Sequence, residues 1–165
     1  MPIIHIEQLY YNTIPTTIIV GLLSTDAYNG ALNKNPYHFQ HYKVSEMSIN
    51  YNGKQLPTEK YTPDWDNQLF YREYRQFYDN IGIGTNNLAT AITPDLYYRG
   101  MTLYSWDLTP DYCNGYHWHK KDSGGTINLL MKFAEGSTDS ITVLVFGVFD
   151  ALVAIDKMQN VEVSM

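Results

Sequence analysis

Two histidines separated by one residue, His117 and His119 in the stretch GYHWHKKDSGG, come nearest in this sequence to a chemical arrangement. On an extended chain, residues two apart point to the same face. Neutral imidazoles are good ligands for zinc, iron or manganese, so the pair would supply two positions of a metal site. Asp122, His38 and His41 are the candidates for a third ligand. The neighbourhood argues against it. Glycine, asparagine and aspartate crowd the pair, and Lys120 and Lys121 would repel a cation. In HFQH an extended chain would put His38 and His41 on opposite faces. The pair therefore reads as part of an exposed loop, with His117 and His119 kept as weak metal candidates.

Other catalytic patterns are absent or incomplete. The cupin pattern, a His-x-His followed within a few residues by a glutamate and then a glycine, is half met. Cys113 has no base beside it in sequence, and neither a Gly-x-Ser-x-Gly elbow nor a phosphate loop occurs. Glu46, Glu59 and Glu73 are scattered, with no partner at a spacing that would force a carboxylate to stay protonated. The lone Gly-x-Gly of GIGTNN does not link a strand to a helix as a dinucleotide loop must. The expectation is a protein that is not an enzyme and takes no cofactor.

The elements that would carry these residues are mostly strands. IIHIE and TIIVGLL are β-branched runs. In SINYNGKQLP, Asn52-Gly53 can supply the two positive φ angles of a type I′ hairpin turn. MTLYSWDLT alternates, and GGTINLLMKFA sets Ile127, Leu129, Met131 and Phe133 on one face. ITVLVFGVFD, ALVAIDK and VEV complete the series. Many short strands separated by turn residues imply an antiparallel sandwich or barrel. One segment departs from this. In TPDWDNQLFYREYRQFYDNIG, Thr62 suits an N-cap, Pro63 a first turn and Gly82 a C-terminus. Phe70, Tyr74, Phe77, Tyr78 and Ile81 form one apolar stripe, which predicts a helix over about 64–80 packed on the sandwich.

Size and charge bound the rest. At 165 residues the chain suits a single domain, 1–165, with a core of its own. One cysteine allows no internal disulfide. A formal net charge of −6 argues against a broad nucleic-acid surface, and no apolar run is long enough to span a bilayer. Fifteen tyrosines suit half-buried sheet faces and interfaces. TIIVGLL and TVLVFGVF are apolar on both faces, where a sheet with one side in water should alternate. The second face needs cover, from the helix, from another copy or from another domain. Ile18, Val20, Val143, Val145 and Phe146 are the interface candidates.

Taken together, LSTDAYNGALNKNPYHFQHYKVSEMSINYNGKQLP, YREY, GMTLYSWDLTPD and VFGVFDALVAIDKMQNVEV resemble the C-terminal half of the double jelly-roll major capsid protein of Polinton (Maverick) elements and adintovirus-like viruses. The stretch Asn35-Pro36-Tyr37-His38-Phe39-Gln40-His41 resembles that family's NP-hydrophobic-x-F-x-H segment. Asp150 to Lys157 resembles its Asp-x-x-x-x-Ile-Asp-Lys ending. The resemblance implies an all-β jelly roll of two four-stranded sheets and a structural role in a virion shell. It also implies self-association, with a trimer favoured, other capsid subunits as partners, and localisation to the virion and to the host nucleus or cytoplasm during assembly. It carries no catalytic residues. The chain departs from the family in having one jelly roll where the family has two, so an N-terminal half is a further expected partner. The alternatives are a carbohydrate-binding jelly roll, using Trp65, Trp106 and Trp118 as stacking platforms, and a cupin-like metal enzyme using His117 and His119.

Overall fold

The computed structural model describes residues 1–10, 13–83, 91–109 and 124–164. Two antiparallel sheets lie face to face. The first has the order β1-β6-β3-β4, from β1 (Ile3–Ile6), β6 (Ile127–Phe133), β3 (Val44–Tyr51) and β4 (Lys54–Tyr61). The second has the order β5-β2-β7, from β5 (Leu103–Asp107), β2 (Thr17–Ser24) and β7 (Ile141–Val148). A separate two-stranded ribbon follows, β8 (Leu152–Ile155) with β9 (Val161–Ser164). The expected pair of four-stranded sheets is thus met in the first sheet only. ALVAIDK and VEV form strands as expected, but they pair with each other instead of widening the second sheet.

Register explains the core. Met47 lies opposite Met131, Ile49 opposite Leu129 and Tyr51 opposite Ile127, while Ile4 and Ile6 flank Met131 and Leu129 from the other side. Because side chains alternate, this places one apolar set on the inner face of the first sheet. Ile18, Val20 and Leu22 of β2 with Tyr104 and Trp106 of β5 meet it from the second. The Trp106 Nε1 donates to the Leu56 carbonyl at 3.1 Å, and the Tyr61 hydroxyl donates to the Ser105 carbonyl at 2.9 Å. Both bonds tie β4 to β5 across the sandwich. The β3–β4 turn is as expected, with Asn52 at φ 50° and Gly53 at φ 81°.

Among the described residues three helices accompany the sheets: α1 (Thr25–Tyr28), α2 (Tyr71–Asn80) and α3 (Pro94–Gly100). The helix expected over about 64–80 starts at Tyr71 instead. Residues 64–69 close a small loop, in which Asp64 and Leu69 exchange both backbone hydrogen bonds and Gln68 takes a φ of 56°. The Asp64 carboxylate accepts from the backbone N–H and side-chain amide of Asn67, stabilising that loop over a helical turn. The stripe itself holds: Phe70, Phe77 and Tyr78 are buried and Tyr74 half-buried. α2 covers the free edge of β5, where the Asn80 amide donates to the Ser105 carbonyl at 2.6 Å and the Ser105 hydroxyl to the Phe77 carbonyl at 3.3 Å.

Candidate functional site

His117, His119, Asp122, Cys113 and Trp118 lie outside the described residues. Among the described residues, no group of three or more His, Cys, Asp or Glu is placed to hold a metal ion. His38 and His41 line the same surface cleft of about 360 Å³, with Tyr98, Lys43 and Glu135 on its walls. An extended chain would put them on opposite faces; here both line this cleft, and His38 also borders a second one with Ser24 and Asn35.

His41 is a packing residue in this cleft. Its ring stacks on Trp65 with centroids 4.3 Å apart and planes 10° from parallel, and its Nδ1 accepts from the Lys43 N–H at 3.1 Å. Burial first, and the Lys43 charge second, hold its pKa below the usual histidine value, with Asp66 opposing. Lys43 itself bridges Asp66 at 3.0 Å and Glu135 at 3.1 Å. The cleft is therefore a neutral imidazole beside a paired lysine.

The three glutamates separate by environment. Glu46 accepts from Lys60 at 2.6 Å and Lys132 at 2.9 Å, and these bonds lower its pKa. Glu59 is exposed. Glu73 is buried and accepts from the Thr62 N–H at 3.1 Å, with burial raising its pKa. Helical position alone set Glu73 off the apolar stripe, and the sequence carried no sign that the Thr62 segment folds over it. Trp65 and Trp106 are both buried, each with its indole N–H bonded to a backbone carbonyl.

The remaining distinctive surface belongs to β7. Burial separates the five interface candidates. Ile18 and Val20 lie wholly inside the core, and Val143 and Val145 are half-buried against it, so these four point inward. Phe146 points out and is 59% exposed, with Leu144 and Val148 beside it on the same face. The doubly apolar strands thus part company. β2 is central, and its outer face is covered within the chain: Phe39 lies over Gly21, where a Cβ would fall 2.7 Å from the ring. β7 is an edge strand, paired only with β2 among the described residues, and its outer apolar face is open. The helix stripe, the competing cover, lies on β5 instead.

Comparison with known proteins gives one informative relative. The chain is 26% identical over 157 residues to an uncharacterized protein of Caenorhabditis elegans, across 93% of this chain and 37% of that protein. The chain therefore spans well under half the length of this curated relative. No family model matches, and no solved structure matches. Among the described residues, no helix is long and apolar enough to cross a membrane.

Proposed function

We propose that this chain is a shell-forming structural protein, a jelly-roll capsid subunit of the kind encoded by Polinton-like elements. The observation that carries the jelly-roll part of the reading is the strand order, and the sequence resemblance supports its capsid part. A jelly roll passes successive strands between two sheets, so its second, seventh, fourth and fifth strands pair in one sheet. Its first, eighth, third and sixth pair in the other. Counting β1 as the second strand, β1-β6-β3-β4 and β5-β2-β7 follow both orders, with the place beside β7 unfilled among the described residues. That place belongs to the first strand. In this reading an extended segment beyond the described strands fills it.

The open β7 face fits the same reading, since exposed apolar patches on folded proteins mark contacts with other chains. The lectin alternative loses two of its three platforms to the core, because buried Trp65 and Trp106 cannot stack on a sugar. The cupin alternative rests on His117 and His119 alone. Electron microscopy of the concentrated protein tests the proposal. Rings, bricks or closed shells of repeated subunits are expected, and a field of dispersed single subunits at every concentration would remove the shell reading.

A further inference from the structure

The ribbon after β7 has one apolar face that none of the described residues covers. Val153 pairs with Val163 and Ile155 with Val161, so all four side chains stand on one face. They are between 56% and 69% exposed. Ala154 and Glu162 pair on the opposite face. The ribbon is therefore amphipathic, with its charge on one side and its aliphatic side in water.

A hairpin of four-residue strands is marginal alone in water and needs a third layer. This one is nonetheless built to hold its shape. The Asp156 carboxylate accepts from the backbone N–H of Met158 at 2.7 Å and of Asn160 at 2.9 Å, and from the Asn160 side-chain amide at 2.7 Å. Its root is fixed too. Phe149 packs edge-on against Tyr10, with centroids 5.3 Å apart and planes at 80°, and only Asp150 and Ala151 separate it from β8. The outer face of β7, with Leu144, Phe146 and Val148, is also open, so the two apolar faces do not cover one another within the chain.

We propose that the β8–β9 ribbon of one copy lies with its apolar face on the outer face of β7 in a second copy of this chain. This rests on the shell-forming reading and names its contact. Both surfaces are free of charge and both occur on every subunit, so copies can match them reciprocally in a pair or head-to-tail around a ring. In a closed ring each subunit gives its ribbon to one neighbour and its β7 face to the other. All seven aliphatic and aromatic side chains then go under cover, forming the apolar centre of an interface of ordinary size. Glu162 stays on the wet side.

Cysteine cross-linking tests the contact, in full-length protein carrying Cys113→Ser. With Phe146→Cys and Ile155→Cys introduced together, mild oxidation should give covalent dimers and higher ladders on a denaturing gel. Val153→Lys with Val161→Lys should weaken association by on the order of tenfold or more, while Glu162→Lys on the opposite face should not. If the unaltered protein is a monomer, the shell-forming reading fails as well. If it assembles but the lysine variants assemble equally well and no ladder forms, only the ribbon contact is wrong. A bond formed solely within single chains would likewise overturn it.

Discussion

Gly21 shows how a single residue decides which sheet face is available. It sits mid-way along β2, and Phe39 closes over it because no Cβ intervenes. Phe39 cannot easily withdraw, since its N–H donates to the Gly100 carbonyl at 2.8 Å and its carbonyl accepts from the Thr102 N–H at 3.0 Å. Glycine to alanine in a strand normally stabilises. Here the added methyl would lie 2.7 Å from the Phe39 ring and 2.9 Å from Leu103. Gly21→Ala should therefore destabilise the fold by about 1–3 kcal/mol in urea denaturation, and a gain in stability would refute the Phe39 cover. His41 yields a pH prediction. Its folded pKa is depressed, so the unfolded chain binds the proton more readily. The stability it contributes is complete above the unfolded value of about 6.5 and is lost as pH falls from there toward the folded value. His41→Asn removes that titration, so between about pH 7 and pH 5 the natural protein should lose stability relative to the variant. Parallel curves over that range would mean that the Trp65 stack tolerates the charged ring.

At the scale of elements, the sequence was most legible where local rules and tertiary packing agree. The Asn52-Gly53 hairpin, the Ile127-Leu129-Met131-Phe133 face and the Phe70-Tyr74-Phe77-Tyr78 stripe all appear as read. Since Gly53 holds φ 81° with open space around it, Gly53→Ala should cost about 1 kcal/mol through backbone strain alone. Thermal melts of the two proteins check this; an unchanged or higher midpoint would argue against the turn type. Legibility failed where one local signal overrode another, or where an element was too short to show a period. Thr62 and Pro63 look like a helix start, yet the Asp64–Asn67 bonds form a loop and delay the helix to Tyr71. α3 was missed because its seven residues are too few to show a period, although Thr93 caps it by accepting from the Leu96 N–H at 3.3 Å and Pro94 follows. The two doubly apolar strands looked alike in sequence. Only their places in the sheet, central for β2 and edge for β7, distinguish a covered face from an open one.

For the whole molecule, the account depends on where apolar surface remains. The sandwich is closed on the β4–β5 side by Tyr61, Trp106 and α2; on the other side β7 is an edge strand among the described residues, and the β8–β9 ribbon follows it. Burying an exposed valine, leucine, isoleucine or phenylalanine is worth about 1.5–3 kcal/mol when complete, so covering these seven partly exposed ones favours association against its entropic cost. The net charge of −6 opposes indiscriminate aggregation. The central claim is that this chain associates through them. Light scattering on the purified protein at micromolar concentration addresses that claim most directly. A mass that is a fixed multiple of 19.0 kDa is the predicted result, and a steady 19.0 kDa across the dilution series would contradict it.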